Sequence, residues 1–202
     1  EYAAALRMPA LPDEDDDREM EHLTETLLAE YGCVQYEISN YAKPGFECRH
    51  NLGYWSDVPY LGLGLGSSSY LKAYAGDGRP LCVRFSNTRD LTEYLSAAPD
   101  SGGQASAAAA LAGQESGGCP VEGQILSEKD REEEFFFLGL RRREGIGEAD
   151  FLERFGHGWD AYLPAMERME KAGFMESDGA GTFRLTRSGM DVSNAVFAQI
   201  LV

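Results

Sequence analysis

The sequence has little positive charge: 18 Lys and Arg residues stand against 34 Asp and Glu residues, and the formal net charge is −16 at pH 7. Proteins bind phosphate backbones and anionic lipid surfaces by neutralising many of their charges, so this balance argues against nucleic acid or a membrane surface as a partner. The sequence also has no run of about 20 apolar residues and no basic-then-apolar leader at its start. We therefore expect a soluble, cytoplasmic protein without a transmembrane segment.

Cysteines at metal-binding spacing are missing as well. No two of the four cysteines are separated by the short gap that zinc and iron–sulfur motifs use, so we expect reduced, structural thiols for three of them. Cys48 is the exception, because Arg49 and His50 follow it directly. The chain starts at Glu1 rather than Met, and we expect it to be a piece of a longer protein. The four positions are Cys33, Cys48, Cys82 and Cys119.

Small residues dominate the stretch from 97 to 118, which reads AAPDSGGQASAAAALAGQESGG. It holds too little apolar bulk to offset the entropy lost on ordering, and we interpret it as a linker or a long insertion. It divides the chain into residues 1–96 and residues 119–202. With 43% hydrophobic residues overall, the chain is long enough for one domain or two small ones.

The first part begins with an amphipathic helix and a strand. Acidic residues 13–17 precede apolar residues at helical spacing, which predicts a helix that stops at Gly32. An alternation of period two follows and predicts a strand. Its polar face is suited to point into a ligand-filled space, and the residues of that face are Gln35, Glu37 and Ser39.

A run of alternating leucine and glycine follows at residues 60–70, YLGLGLGSSSY. We interpret it as a strand with leucines on one face and glycines on the other. Glycine inside a strand indicates either tight packing against another backbone or the wall of a ligand site. The spacing fits neither the dinucleotide fingerprint nor a phosphate-binding loop, because the third glycine and the Lys-Ser/Thr pair are missing.

The second part is predicted to be mostly helical. Ser127 is a helix N-cap, two further helices are expected over 147–155 and 160–171, and a hairpin is expected around the turn at 177–181. Thr186 then caps a last helix that runs through Ile200. Helices, a two-stranded wing and a final helix are typical of a winged-helix-like module, and the chain as a whole is predicted to be α+β.

The densest group of chemically versatile residues is Cys48–Trp55, which reads CRHNLGYW. An imidazole flanked by aromatic rings can bind haem iron between apolar walls, and an arginine can pair with a propionate carboxylate. A histidine in such a position can equally be an ordinary hydrogen-bonding group. The residues alone leave both interpretations open.

Several segments together resemble a known family. The runs YEISNYAKPGFECRHNLGYW, YLGLGLGSSSYL, FLGLRRREGI and FLERFG closely resemble the carboxy-terminal half of the radical-SAM, oxygen-independent coproporphyrinogen III oxidase-like proteins, the HemN/HemW family. His50-Asn51-x-x-Tyr54-Trp55 resembles the signature of the haem-chaperone branch. The resemblance covers most of the chain outside residues 97–118.

The resemblance implies a partial (β/α) barrel, of which residues 1–96 are the end, and a helical carboxy-terminal domain at 119–202. It implies a [4Fe–4S] cluster and S-adenosylmethionine in the longer protein. The cluster needs a C-x-x-x-C-x-x-C run that this chain lacks. We therefore predict no catalytic residue here and no radical chemistry by this chain alone.

The resemblance also implies roles for individual residues. His50 is the candidate haem-iron ligand, Tyr54 and Trp55 would wall the tetrapyrrole, and Arg49 would pair with a propionate. The glycine run, with Gly64 and Gly66, would lie against S-adenosylmethionine. Ser68 would contact that cofactor, although the family commonly has Ala-His-Ser where this chain has Ser67-Ser68-Ser69.

Haem chaperoning, with haem or another tetrapyrrole and a haem-recipient protein as partners, is the function this resemblance favours. The alternative is oxygen-independent coproporphyrinogen III oxidation, in which propionates lose carbon dioxide. A third alternative makes the winged helix a DNA reader with phosphate contacts from Arg141, Arg142 and Arg143, and the net charge weighs against it.

Overall fold

A computed structural model describes residues 11–74, 80–96 and 121–201 of the chain. The predicted linker at 97–118 and Cys119 lie outside the described residues. The helices are α1 Glu14–Glu30, α2 Arg49–Trp55, α3 Leu91–Ser96, α4 Glu128–Gly139, α5 Glu148–Phe155, α6 Leu163–Lys171, α7 Arg187–Asp191 and α8 Ser193–Ile200. The strands are β1 Val34–Glu37, β2 Asn40–Ala42, β3 Ser68–Tyr74, β4 Pro80–Asn87, β5 Val121–Leu126, β6 Ile146–Gly147, β7 Met175–Ser177 and β8 Thr182–Leu185.

The predicted first helix is confirmed as α1. The Asp13 carboxylate accepts hydrogen bonds from the backbone N–H groups of Asp15 and Asp16 at 3.0 Å each, and Gly32 follows the helix with a φ of +75°. Asp13 therefore caps the helix start, and the acidic residues of the first turn lie at the positive end of the helix dipole. The apolar face at Met20, Leu23 and Leu27 stays about half exposed.

A short hairpin of β1 and β2 joins the first part to the second. Its backbone continues pairing beyond the hairpin: the N–H of Ile38 donates to the carbonyl oxygen of Arg141 at 3.0 Å, and the N–H of Arg143 donates to that of Tyr36 at 3.1 Å. The segment that follows α4 thus anchors the hairpin through main-chain hydrogen bonds, whatever the side chains are.

The central sheet is antiparallel, in the order β3, β4, β5. Strand β5 was not predicted, since the sequence shows no clear alternation before Ser127. It pairs with β4 from Cys82 opposite Leu126 to Asn87 opposite Val121. The chain therefore returns to the sheet of the first part after residues 97–120, before it enters the helices of the second part.

The prediction of a strand over residues 60–70 is wrong for most of that range. Regular pairing starts only at Ser68, while Gly64 and Gly66 have φ angles of +105° and +65°. Residues with side chains rarely adopt such angles, so these glycines form a turn rather than a pleated face. The three leucines of the run, at 61, 63 and 65, are exposed as a consequence.

The second part encloses the main core. Aromatic rings from α4, α5 and the loop before α6 pack at its centre, with Phe136 and Tyr162 at 4.3 Å between ring centroids. A three-stranded sheet in the order β6, β8, β7 covers one side. The buried members include Phe135, Phe136, Leu140, Ile146, Phe151, Trp159, Met166, Met175, Val196, Phe197 and Ile200.

Most of the predicted elements of the second part are confirmed. Ser127 and Asp130 form a capping box at the start of α4, and the hairpin is that of β7 and β8. The prediction of a single last helix is wrong. Val192 leaves the helical conformation, with ψ of +28°, and separates α7 from α8. Among the described residues, no helix is both long and apolar enough to cross a membrane.

We predict that Gly189→Ala destabilises the second part. A methyl group at this position in α7 would collide with the backbone carbonyl group of Phe174, which cannot rotate away as a side chain can. We expect a loss of about 1–3 kcal/mol in the free energy of unfolding, measured by urea denaturation. Ser188→Ala on the exposed side of the same helix is the control, and equal stabilities of the two variants would contradict the close contact.

Candidate functional site

Helix α2 carries the predicted haem-binding residues. It is seven residues long, Cys48 precedes it without making a side-chain cap, and none of its residues is fully buried. His50 lies exposed on its first turn, while Asn51, Tyr54 and Trp55 are partly buried. His50 makes no hydrogen bond to any described residue, so its ring nitrogens are open to solvent or a ligand.

Aromatic rings form a row that starts at His50. The imidazole meets Tyr54 edge to face with 4.7 Å between ring centroids, and Tyr54 meets Tyr60 in the same way at 4.6 Å. Tyr60 is in turn 6.2 Å from Tyr70 of β3. These edge-to-face contacts favour one orientation of each ring and hold the face of α2 toward the central sheet.

Two adjoining cavities lie along this row and share Tyr54, Val58 and Tyr60. The first, of about 140 Å³, is also lined by Arg49, Gly53, His50 and Pro59. The second, of about 250 Å³, lies between α2, the central sheet and α4, and Trp55, Asp57, Tyr70, Arg84, Glu134 and Leu138 complete its lining. The structure thus brings His50, Arg49 and Tyr54 to one concave surface and places Trp55 in the neighbouring one.

Asp57, two residues after the end of α2, links this segment to β3 and α5. Its carboxylate accepts a hydrogen bond from Lys72 of β3 at 2.7 Å and from Arg154 of α5 at 3.1 Å. Burial raises the pKa of the Tyr70 hydroxyl above its usual range, and hydrogen bonding to Asp57 adds to the shift. Asp57 itself has a φ of +58°, a conformation that Asp tolerates better than most residues.

Trp55 packs against the second part of the chain. The guanidinium carbon of Arg141 lies 4.8 Å from its ring centroid, within the range of a cation–π contact. The indole Nε1 of Trp55 is buried and has no hydrogen-bond partner among the described residues. One face of this ring is therefore occupied by the protein itself.

The other arginines of the 141–143 run are also engaged within the chain. Arg142 donates to the carbonyl oxygen of Gly145 at 3.2 Å, and Arg143 lies 4.0 Å from the Glu25 carboxylate. These contacts join both side chains to other residues of the chain.

Glu37 is almost completely buried, with 1% of its surface exposed. Its carboxylate accepts hydrogen bonds from the Asn40 side chain and, at 3.2 Å, from the backbone N–H of Ser39. Gln35 on the same face donates to the carbonyl oxygen of Ile38 at 2.8 Å. Two residues of the predicted polar face, Gln35 and Glu37, are thus buried, whereas Ser39 is exposed. The buried groups bond within their own hairpin, and Glu37 lines neither cavity.

The backbone of the glycine run forms hydrogen bonds with the residues at the end of β4 and just after it. The Asn87 side chain donates to the carbonyl oxygen of Gly64 at 2.8 Å, and the N–H of Gly66 donates to the carbonyl oxygen of Thr88 at 2.8 Å. The Ser68 hydroxyl is 2.8 Å from that of Ser86. None of Gly64, Gly66 and Ser68 lines the cavities beside α2.

The sequence interpretation missed several residues that shape this site. Tyr60 and Tyr70 bracket the glycine run, and an aromatic residue at each end of that run is the signal that could have drawn attention to them. Asp57, Arg84 and Glu134 carry no comparable signal. They meet only because the chain brings α2, β4 and α4 together, with Arg84 and Glu134 paired at 2.6 Å.

One further group could bind a metal ion by its composition: Glu128, Glu132 and His157, whose ligand atoms lie within 4.8 Å of one another. Two of the three are exposed, and Glu132 already accepts a hydrogen bond from the Tyr162 hydroxyl at 3.0 Å. His157 Nε2 lies 3.2 Å from Glu132. These contacts are accounted for by an ion pair at the surface of the second part.

We predict that His157 makes the stability of the chain pH-dependent. A hydrogen bond to the Gly158 carbonyl and the nearby Glu132 and Glu128 raise the pKa of His157 above its ordinary value near 6.5. Its contribution is therefore complete below that ordinary pKa and is lost as pH rises through the higher, folded-state pKa. The melting temperature of the wild type should exceed that of His157→Gln at about pH 6, and the difference should shrink by about pH 8.5. A difference that is the same at both pH values would contradict the ion pair.

We also predict that Asp57→Asn destabilises the junction beyond α2. The amide keeps the shape but leaves Lys72 and Arg154 facing a neutral group, and only 15% of the Asp57 side chain is exposed. We expect a loss of about 1–2 kcal/mol in unfolding free energy, measured by urea denaturation. Glu144→Gln, at a carboxylate that is 86% exposed, is the control and should change stability by less than about 0.5 kcal/mol.

Comparisons with known proteins identify relatives of this chain. The family model described as the HemN C-terminal domain matches residues 126–192. The heme chaperone HemW of Lactococcus lactis is 30% identical over 193 residues, which cover 95% of this chain and 44% of that protein. HemW of Bacillus subtilis is 28% identical over 194 residues, with coverage of 95% and 44%. The chain thus spans less than half the length of these curated relatives.

A solved structure shows the same fold. It is titled "Coproporphyrinogen III oxidase (HemN) from Escherichia coli is a Radical SAM enzyme", and the superposition has a TM-score of 0.64 over 95% of this chain and 42% of that chain. At 14% identity, this likeness concerns the fold. The matched HemN C-terminal domain and the HemW relatives show that the chain belongs to the HemN/HemW family, of which it forms a carboxy-terminal part.

Proposed function

We propose that this chain contributes the His50 side of a haem site in a haem chaperone of the radical-SAM type. The observation that carries the proposal is the environment of His50. Its imidazole is exposed, has no hydrogen bond to a described residue, and stands at the rim of a concave surface lined by Arg49 and aromatic rings. Curated relatives that cover 95% of the chain are named heme chaperones.

The residues fit haem as a bound cargo. A neutral imidazole nitrogen of His50 would bind the iron, Tyr54 would contact the porphyrin plane, and Arg49 would pair with a propionate. Asn51 lies on the same short helix and would contact the edge of the haem. Trp55 would wall the tetrapyrrole with the ring face that does not pack against Arg141. The two cavities are small, so this chain would cover one part of the tetrapyrrole.

S-adenosylmethionine would lie against the glycine run. Gly64 and Gly66 have no side chains to obstruct it. The Gly64 carbonyl oxygen and the Gly66 N–H already form hydrogen bonds within the chain. The Ser68 hydroxyl would have to leave Ser86 to make a polar contact. The [4Fe–4S] cluster, which would supply electrons for radical formation, does not fit the residues of this chain, and we place its ligands outside these 202 residues.

The wider architecture follows from the same proposal. Residues 1–96 would be the end of the partial barrel, and residues 119–202 would be the winged-helix-like domain, which would cover the site or dock a haem-recipient protein in the cytoplasm. The β7–β8 hairpin beyond α6 supports a wing. Because β5 pairs with β4, the first residues of the second part would remain in the sheet of the first.

The decisive experiment is a haem titration of the chain and of His50→Ala. Loss of the iron ligand should weaken haem binding on the order of tenfold or more and shift the Soret band, which absorption spectroscopy follows. The chain has two other histidines, His22 and His157. Their alanine variants are matched controls and should bind haem as the wild type does.

An unchanged Soret spectrum and affinity in His50→Ala would remove His50 from this role. Equal losses in all three histidine variants would indicate non-specific haem adsorption. Decarboxylation of coproporphyrinogen III by the longer, cluster-loaded protein would instead support the oxidase alternative.

A further inference from the structure

Helix α2 cannot hold its own orientation. It has seven residues, no side-chain N-cap and no fully buried residue. Isolated helices shorter than about 12 residues are marginal in water, so the direction in which His50 points depends on tertiary contacts of this segment. These contacts lie at its carboxy-terminal end, where the Tyr54 and Trp55 rings meet the rest of the protein.

The Arg141 side chain, which contacts Trp55, is surrounded by aromatic rings. The Arg141 guanidinium carbon lies 4.8 Å from the Trp55 ring centroid, 5.0 Å from that of Phe137 on α4 and 6.0 Å from that of Phe197 on α8. The Nε atom of Arg141 is buried without a hydrogen-bond partner, and no ion pair of Arg141 is formed with the described residues. Its charge therefore meets aromatic faces in place of carboxylates.

The main chain at the same residue is fixed independently. The carbonyl oxygen of Arg141 accepts a hydrogen bond from the N–H of Ile38 at 3.0 Å, and Arg141 follows directly on the buried Leu140. The guanidinium thus projects from a rigid point of the second part. Whatever it contacts is placed relative to the main core.

We propose that Arg141 is a positioning residue for the haem site: its contact with Trp55 sets the orientation of α2 and, through it, of His50. This inference rests on the function proposed above. It assigns no contact between Arg141 and haem. The second part of the chain would thereby control the orientation of His50, the proposed iron-binding side chain, which belongs to the first part.

Two substitutions separate the charge from the packing of the side chain. Arg141→Met keeps an apolar stem but removes the planar cation, and Arg141→Lys keeps a cation without the plane. Arg143→Met makes the same change at a neighbouring side chain that is 52% exposed. Ile200→Val, at a fully buried site, is a control for a loss of stability without any change at Arg141.

The first measurement follows Trp55 without haem. The chain has two tryptophans, and Trp159 is buried, with 2% of its surface exposed. In a Trp159→Phe background, and also in the unaltered chain, acrylamide quenching and the emission maximum report on Trp55. Arg141→Met should increase quenching and shift emission to longer wavelength, Arg141→Lys should have a smaller effect, and both controls should match the wild type.

The second measurement is haem affinity by Soret titration. Arg141→Met should weaken binding about two- to thirtyfold, the range that corresponds to loss of one cation–π contact, and Arg141→Lys should fall between it and the wild type. Ile200→Val and Arg143→Met should bind as the wild type does. A purely structural role for Arg141 would instead make haem affinity follow stability, and Ile200→Val would then lose affinity too.

The outcomes distinguish this inference from the proposed function. If the unaltered chain binds no haem, the proposed function fails, and the quenching data still decide whether Arg141 holds Trp55. Unchanged quenching in Arg141→Met overturns the positioning role whatever the haem titration shows. Increased quenching with unchanged haem affinity, in a chain that does bind haem, overturns the coupling to His50.

Discussion

The docking of the carboxy-terminal end of α2 on the second part of the chain is the contact on which the candidate site depends. Trp55 reaches Arg141 at one side, and Asp57 reaches Arg154 of α5 and Lys72 of β3 at the other. A cation–π contact and a shared carboxylate are short-ranged and directional, so together they define an angle as well as a distance. A helix of seven residues is too short to fix the direction of an imidazole without such tertiary contacts.

The two parts of the chain contribute unequally to stability. The second part encloses a continuous aromatic core around Phe136, whereas the cluster beneath the central sheet consists of Tyr70, Cys82 and Leu126, with Tyr60 against it. The hairpin of β1 and β2 is held by main-chain hydrogen bonds to Arg141 and Arg143. The first part therefore relies on the second for its arrangement.

The glycine run shows how a regular pattern can mislead. Alternation of leucine and glycine has the period of a strand, and nothing in the residues distinguishes a pleated glycine from one with positive φ. In the structure the run forms a turn. The Asn87 side chain donates a hydrogen bond to the Gly64 carbonyl oxygen, and the Gly66 N–H donates one to the Thr88 carbonyl oxygen. Regular strand pairing begins at Ser68, which lies opposite Ser86.

What the sequence by itself determined was local. Short-range signals include the capping residues Asp13, Ser127 and Thr186 and the turn between β7 and β8, because each acts on a backbone only a few residues away. The contact of His50 with Tyr54 also spans only one helical turn, but the residues alone predicted a loop here and not helix α2. The tertiary structure alone decided that Trp55 faces Arg141, that Glu37 is satisfied by its own hairpin, and that β5 rejoins β4. Those contacts join segments separated by many residues, or depend on which face becomes buried, and no short-range pattern specifies either.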